Sequence, residues 1–236
     1  MRILSFDTST AVVHLCLMES GQVVLERQTA AGAAARQEAV TALVPSIDAA
    51  LKEAGWDKHS LSCLVVGQGP GSFTGIRTAI VTARTLADAL MLPLIGVCYL
   101  ECLAYAAGAP VAVVLAGSQG NFFAAAYSHA SEPAVDPAYV ALPELTERLG
   151  AWVRWIADQS SRQLLASHGR LCEPLPELKN IAVIQAQIAW DRLSLRVPDR
   201  LTMEERKKLA DEFTWRHVEP LYLRAPSVTV KKSHAN

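Results

Sequence analysis

One glycine-rich segment organises the chain: Gly67-Gln68-Gly69-Pro70-Gly71-Ser72-Phe73-Thr74-Gly75-Ile76-Arg77. The preceding residues, Leu61 to Val66, form a continuous apolar run that predicts a buried strand. From Ile76 to Leu90, apolar residues recur at helical spacing. Strand, glycine loop and helix in this order bind phosphate in several folds, because glycines expose backbone N–H groups and the helix N-terminus favours an anion.

The residues on either side of this unit predict a mixed sheet. Three closely spaced strands come first and form a meander, then a helix from about Ala34 to Ala54, and a further strand follows the Ile76 helix. Pro45 is expected to kink the first helix or to start a new one. A meander followed by crossover helices combines antiparallel and parallel pairing. The predicted strands here are Arg2–Phe6, Val12–Met18, Val23–Leu25 and Leu94–Val97.

The second half of the chain predicts a partial restart of the same pattern. We expect two lobes, residues 1–102 and 103–236, with a C-terminal segment that packs back on the first. The expected elements are a hairpin of Val111–Leu115 and Phe122–Tyr127, a helix over Leu142–Ala157, a short strand over Gln163–Ala166 and a helix over Ile181–Leu193.

The glycine loop fits neither of two well-known phosphate motifs. The P-loop needs Lys directly after its last glycine, whereas Gly75 is followed by Ile76, and the spacing G-x-G-x-x-G is absent. Two interpretations stay open: a phosphate site, or a tight turn with Ser72 capping the helix. If Gly71 and Gly75 adopt positive φ, a Cβ at either position would be strained, and valine there should lower thermal stability.

Asp7 is the other candidate for chemistry. It ends the first strand and precedes Thr8, Ser9 and Thr10, so its carboxylate could hold magnesium near a phosphate, or could form a local turn. We therefore expect no cofactor, with a nucleotide and magnesium as the alternative. The candidate nucleotide-binding residues are Asp7, Thr8, Ser9, Gly69, Gly71 and Ser72.

Composition narrows the class of protein. The 236 residues are 51% apolar and 19% charged, which excludes disorder as the main state, and the net charge of -1 argues against an autonomous nucleic-acid binder. No apolar run is long enough for a membrane helix, and the first residues lack a leader pattern. The five cysteines are scattered, as in a reducing compartment, so we expect a cytoplasmic protein without membrane contact.

The sequence holds no recognisable catalytic set. The six histidines are scattered, and neither His-Glu-x-x-His nor a G-x-S-x-G elbow occurs. Cys98 and Cys102 lie one helical turn apart but lack a second pair of ligands. We expect no catalytic residue and no metal.

Several motifs together resemble the bacterial TsaB (YeaZ) family. They are Ile3-Leu4-Ser5-Phe6-Asp7-Thr8-Ser9-Thr10, Leu43-Val44-Pro45, Gly69-Pro70-Gly71-Ser72-Phe73-Thr74-Gly75-Ile76-Arg77, Gly96-Val97 leading into Leu100-Glu101, and Pro220-Leu221-Tyr222-Leu223-Arg224. The resemblance covers residues 1 to about 105 well and the rest loosely.

The resemblance implies an α/β, two-lobed actin-like (ribonuclease-H-like) fold with mixed central sheets flanked by helices. It implies a non-catalytic subunit required for threonylcarbamoyladenosine in tRNA, which partners and activates the TsaD-type transferase that moves the threonylcarbamoyl group from its adenylate to the adenosine beside the anticodon. A TsaE-like ATPase joins the larger complex, tRNA is met only through the complex, and the chain alone is expected to be a homodimer.

Departures from related patterns bear on this role. The TsaD family carries a His-x-x-x-His metal pair on its first long helix, whereas Arg36 to Ala54 contains no histidine, and Ala39 stands where many TsaB sequences keep one. TsaB sequences commonly have Asp-Ala-Arg-Arg-Gly in the second-lobe hairpin, where this chain has Ala116-Gly117-Ser118-Gln119-Gly120. Any function of that charged loop is in doubt here.

The helices themselves predict a partner surface. The predicted helices Gln37–Ala54 and Ile76–Leu90 each carry a face of small uncharged residues beside the apolar stripe that faces the core. Such a face suggests close packing against another subunit or between the two helices. The stripe expected in the core of the first helix is Val40, Leu43, Val44, Ile47 and Leu51. The expected interface residues are Ala39, Ala42, Ser46, Ala49, Thr78, Thr82, Thr85 and Ala89.

Two other classes of function stay open. An actin-like small-molecule kinase or ATPase would need a phosphate clamp from both lobes and a catalytic base. An independent tRNA-binding module would need a basic excess that the composition lacks.

Overall fold

Two mixed five-stranded sheets organise the protein. The computed structural model describes residues 1–30, 35–129, 132–194 and 202–223, with the side chains of residues 30, 35–40 and 203 outside that description. The first sheet has the order β3-β2-β1-β4-β5, with β2 antiparallel to its neighbours and β4 parallel to β1 and β5. The elements are β1 (Arg2–Asp7), β2 (Val12–Glu19), β3 (Gln22–Ala30), α1 (Ala35–Glu53), β4 (Cys63–Gly69), α2 (Phe73–Leu90), β5 (Leu94–Cys98) and α3 (Tyr99–Ala107).

The second sheet repeats the connections of the first. Its order is β10-β9-β6-β7-β8, so three antiparallel strands are again followed by two parallel crossovers. The elements are β6 (Val111–Ala116), β7 (Asn121–His129), β8 (Glu132–Ala141), α4 (Leu142–Leu149), β9 (Trp155–Ala157), α5 (Gln159–Ser167), β10 (Glu173–Pro174) and α6 (Ile181–Leu193). A short α7 (Met203–Glu212) and a 3-10 turn (Trp215–His217) complete the described chain.

The first sheet is buried on both faces because successive residues of its strands project to opposite faces and most of them are apolar. Leu4 and Phe6 of β1 belong to the core beneath α1 and α2, whereas Ile3 points to the opposite face and packs against α6. α2 contributes Ile76, Ile80 and other small apolar residues to the first of these cores. Burial on both faces is what parallel crossovers require.

The helix that follows the fifth strand of each sheet, α3 in the first half and α6 in the second, packs on the sheet of the other half. α3 places Leu100 and Leu103 against Val111 and Val113 of the second sheet, while α6 covers the inner face of the first. This exchange joins the two lobes through two helices that also contact each other. Arg192 of α6 donates to Glu101 of α3 at 2.5 Å.

The C-terminal segment lies along the first lobe beside α2. The backbone N–H of Leu94 donates to the Phe213 carbonyl at 3.0 Å, and the N–H of Leu221 donates to the Gln68 carbonyl at 3.1 Å. The Gln68 amide in turn donates to the Glu219 carbonyl at 2.8 Å. The first bond pairs a backbone group on the free edge of β5, and the other two tie the C-terminal segment to Gln68 of β4.

Several expectations from the sequence were wrong in the second lobe. Gln163–Ala166 belongs to helix α5 and not to a strand, and the helix that begins at Leu142 ends at Leu149. The helix α1 passes through Pro45 as one element, so no new helix starts there. The predicted hairpin of β6 and β7 and the helix over Ile181–Leu193 are confirmed.

Candidate functional site

The candidate site lies where β1 and β4 end side by side. The two strands are parallel neighbours, so the loop after Asp7 and the glycine loop after Gly67 leave the sheet at the same edge. The structure therefore brings together all six predicted nucleotide-binding residues. Asp7, Thr8 and Ser9 are buried, with Asp7 only 1% exposed.

Both oxygens of the Asp7 carboxylate accept hydrogen bonds from the chain itself. The Ser9 backbone N–H donates to Oδ1 at 2.6 Å, and Gln185 Nε2 of α6 donates to Oδ2 at 2.8 Å. A Cβ at Gly67 would lie 1.6 Å from Oδ2, so glycine is required where β4 passes the carboxylate. Asp7 thus stabilises the turn that follows β1 and links this turn to α6.

The two loops touch each other directly. Thr8 Oγ1 donates to the Gly75 carbonyl at 2.7 Å, and the Ser72 N–H donates to the Ser9 carbonyl at 2.7 Å. Two groups that could cradle a phosphate, the Thr8 hydroxyl and the Ser72 N–H, therefore bind protein atoms instead.

Gly71 and Gly75 do not adopt positive φ. Among the described residues of this loop only Gly69 has it, at +90°. Glycine is needed at the other two positions because of proximity: a Cβ at Gly75 would lie 1.8 Å from the Thr8 carbonyl oxygen, and one at Gly71 would lie 2.6 Å from that of Ser9.

The interpretation of Ser72 as a helix cap is confirmed. Its backbone is extended, and its side-chain oxygen accepts from the Gly75 N–H at 3.3 Å, satisfying one of the unpaired donors at the start of α2.

The second lobe places a carboxylate at the corresponding position. By the repeat of connections, the β9–α5 junction matches the β4–α2 junction. There Asp158 caps α5 by accepting from the Ser161 N–H at 3.0 Å and from the Ser161 hydroxyl at 2.8 Å. It also accepts from the Ala116 N–H at 2.5 Å, which joins the helix to the β6–β7 loop. The carboxylate occupies the place of an anion at this helix N-terminus.

Three polar residues at the site were not predicted from the sequence. Gln185 and Asn180 come from α6, far along the chain, and His14 stands opposite Asp7 in the β1–β2 register. Burial lowers the pKa of His14, an effect that Asp7 and then Asn180 oppose. Its Nδ1 is buried without a hydrogen-bond partner among the described residues.

The thiols are poor candidates for nucleophiles or ligands. Burial raises the pKa of Cys98 to about 11 and that of Cys16 to about 12, so both are protonated at neutral pH. Within the described ranges, no three His, Cys, Asp or Glu side chains converge as metal ligands. No described helix is long and apolar enough to cross a membrane.

The predicted interface residues lie on the outer helices of the first lobe. Thr85, Ala89 and Ala49 are exposed, whereas the remaining ones with described side chains are half-buried: Ala42, Ser46, Thr78 and Thr82. The side chain of Ala39 lies outside the described part. Val44, expected in the core of α1, is 57% exposed, and Ala50 is buried instead.

The small face of α1 points away from α2. Residues 42, 46 and 49 lie in one stripe with Glu53, which forms an ion pair with Arg27 on β3. On α2, Arg84 faces the C-terminal segment, so the half-buried Thr82 lies on the opposite side, toward α1. Between these stripes the outward surface carries Val44 and Val81, the latter 63% exposed.

Comparison with known proteins gives the family. The family model described as TsaD, tRNA N6-adenosine threonylcarbamoyltransferase, matches residues 30–190, more than half of the chain. The chain belongs to the TsaD family. Within it, the chain is similar to the Bacillus subtilis protein named tRNA threonylcarbamoyladenosine biosynthesis protein TsaB, with 35% identity over 104 residues, which is 44% of each protein. The chain spans under half the length of the curated relatives it matches.

Solved structures give the fold. A Pseudomonas aeruginosa protein described as similar to the peptidase YeaZ has a TM-score of 0.68 at 20% identity, over 94% of this chain and 99% of that one. YeaZ from Pseudomonas aeruginosa has a TM-score of 0.63 at 24% identity, over 82% and 93%. The fold is thus the two-lobed actin-like fold of the TsaB/YeaZ proteins, as expected.

Proposed function

We propose that this chain is a non-catalytic subunit in the formation of threonylcarbamoyladenosine in tRNA. It associates with a TsaD-type transferase, which carries the chemistry, and it activates that subunit. The curated TsaB relatives, whose names place them in this biosynthesis, and the TsaD family model support the pathway. The proposal places the chain in the cytoplasm with its tRNA substrate.

The proposal is supported by the hydrogen bonds that protein groups make at the candidate phosphate site of the first lobe and at the matching helix N-terminus of the second lobe. In the first lobe, both Asp7 oxygens are bonded to protein groups, and Gly75 lies against Thr8. In the second lobe, the Asp158 carboxylate caps the N-terminus of α5. A kinase or ATPase of this fold needs both positions to hold phosphate.

A partner surface follows from the outward side of α1 and α2. Val44 and Val81 are more than half exposed on neighbouring helices, and Thr85 beside them turns its hydroxyl back to the Val81 carbonyl at 2.9 Å. Because the Thr85 hydroxyl is bonded within α2, Val44, Val81 and Thr85 form a small uncharged patch, which is flanked on α1 by the exposed Asp48–Lys52 ion pair. Such a surface suits the core of a protein interface.

The test is the association of purified chains. We expect Thr85→Arg to abolish association with the TsaD-type subunit, and the homodimer of the chain alone, because a charge at an interface core is costly. Val153→Arg, at a residue 96% exposed in the second lobe, is the matched control and should leave association unchanged. Light scattering measures the mass, and circular dichroism verifies folding. Normal association of Thr85→Arg would contradict the proposed surface.

The kinase or ATPase alternative has a direct test of its own. We expect the isolated chain to hydrolyse ATP at no more than background rate. Steady turnover that disappears in Asp7→Ala would favour the alternative. If the isolated chain hydrolyses no ATP, a TsaE-like ATPase in the larger complex is the proposed source of any ATP hydrolysis by the assembly.

A further inference from the structure

A row of arginines stacked on aromatic rings runs along α2 and the C-terminal segment. Arg77 lies over the Phe73 ring at 3.9 Å and over the Tyr222 ring at 5.5 Å. Seven residues further along α2, the Arg84 guanidinium lies 5.1 Å from the centroid of the Trp215 ring. The Arg216 guanidinium lies 4.8 Å from the centroid of the same ring. We call these six side chains the arginine–aromatic row.

The guanidinium groups of the row are held in place but not neutralised. Within the described residues, none of the three arginines lies within 4.0 Å of a carboxylate oxygen, although Asp88 and Glu219 are on the same side of the lobe. Among the described residues, Arg77 donates only through its Nε–H, to the Tyr222 hydroxyl at 2.7 Å. Stacking fixes the plane of a guanidinium while leaving its edge N–H groups able to bind an anion.

Two of the three rings of the row are open to solvent, whereas Trp215 is half-buried against the core of the first lobe. Phe73 is 42% exposed and Tyr222 is 51% exposed, with their centroids 5.4 Å apart. Large aromatic side chains seldom stay exposed without a binding role when they cluster with arginines. Arg77 and Arg84 are seven residues apart on α2, about 10 Å along the helix.

We propose that the arginine–aromatic row binds the tRNA backbone and an unpaired base when the chain is in complex with its transferase. Cations alternating with exposed rings match an RNA segment, whose phosphates need N–H donors and whose bases stack on aromatic faces. An acidic protein surface would need the arginines but not the rings. The proposal rests on the proposed function, which makes tRNA the target of the complex.

The position of the row explains how a chain of net charge -1 contributes to RNA binding. The row lies on the side of α2 that faces the C-terminal segment, next to the outward surface with Val81. A transferase docked on that outward surface would leave the row at the rim of the interface, where an RNA bound to both subunits could reach it. Three local positive charges suffice there, because the partner supplies the remaining contacts.

The experiment compares tRNA binding by the assembled complex of this chain with a TsaD-type subunit. The variant is Arg77→Gln/Arg84→Gln/Arg216→Gln, and the probe is an unmodified tRNA transcript followed by fluorescence anisotropy at 50 and 200 mM salt. Each phosphate contact adds roughly 0.7–0.9 to the slope of log affinity against log salt. For three contacts, the loss of affinity over this fourfold salt range should shrink by roughly 20- to 40-fold.

Two controls separate RNA contact from structural damage. Arg170→Gln removes an arginine that lies over Trp155 at 4.7 Å in the second lobe, so it matches the chemistry outside the row and should change nothing. The triple Lys variant keeps the charges and should keep the salt slope, while losing affinity through lost stacking and fork geometry. Circular dichroism verifies that each chain is folded.

The outcomes separate this inference from the proposed function. An assembled triple Gln complex with unchanged affinity and salt slope would overturn the inference alone. Loss of assembly in that variant would overturn it in favour of a protein-docking role for the row. Failure of the wild-type chain to join the transferase, or of the wild-type complex to bind tRNA, would overturn the proposed function and the inference with it.

Discussion

Substitution of Gly75 by alanine tests whether the first-lobe clamp is as closed as its hydrogen bonds indicate. Gly75 lies in the first turn of α2, where helix propensity alone would make alanine more stable by about 1 kcal/mol. The structure opposes this gain, since the new Cβ would lie 1.8 Å from the Thr8 carbonyl oxygen. The two loops must separate by about 1.6 Å to reach ordinary contact.

The magnitude follows from what that separation breaks. Two loop–loop hydrogen bonds of 2.7 Å, Thr8 to Gly75 and Ser72 to Ser9, would lengthen or fail, at about 0.5–1.5 kcal/mol each. Displacement of a packed backbone adds about 1–3 kcal/mol. With the propensity gain subtracted, Gly75→Ala should lower the free energy of unfolding by about 3 kcal/mol, or the Tm by roughly 6–12 °C.

Thermal and urea unfolding followed by circular dichroism measure the effect. Thr74→Ala is the matched control, because Thr74 is exposed one residue earlier in the same turn and should stay within about 0.5 kcal/mol of wild type. If Gly75→Ala were as stable as Thr74→Ala, the loops would have room between them, and the argument that the clamp is closed to phosphate would fail.

Two further predictions concern carboxylates. Burial raises the pKa of Glu101 to about 7, with Arg192 opposing the shift, so its contribution to stability is complete below about pH 4.5 and is lost as the pH rises through 7. Urea unfolding between pH 5 and 8 should show this decline in wild type and not in Glu101→Gln; equal slopes would contradict it. Asp158→Ala should cost about 1–2 kcal/mol by loss of the α5 cap, seen as a lower Tm, and an unchanged Tm would show that the cap contributes nothing.

The first lobe was predictable because its signals are local and strong. β1, β4 and α2 are long and regularly patterned, and the glycine loop marks the junction between strand and helix. The second lobe was harder because β9 has three residues and β10 two, too few for a period. Strand β8 contains two prolines, which an edge strand tolerates but which obscure its pattern.

Some errors had a signal that could have prevented them. Asp158 is a residue type that commonly begins a helix as its N-cap, which would have replaced the predicted strand over Gln163–Ala166 with α5. Gln185 is different, because it reaches Asp7 across 178 positions of sequence, and its only mark was a polar residue on the otherwise apolar buried face of α6. Whether a glycine is required by φ or by a neighbouring carbonyl, as at Gly75, is decided by tertiary packing that a sequence does not display.

The most direct test of the central claim is tRNA modification in a reconstituted system. A TsaD-type subunit, a TsaE-like ATPase, threonylcarbamoyl adenylate and unmodified tRNA are combined with and without this chain, and the modified nucleoside is quantified by mass spectrometry. We expect the modified nucleoside only when both the transferase and this chain are present. This chain with tRNA and the adenylate alone should form no modified nucleoside. Transfer by this chain alone, or undiminished transfer in its absence, would contradict the account.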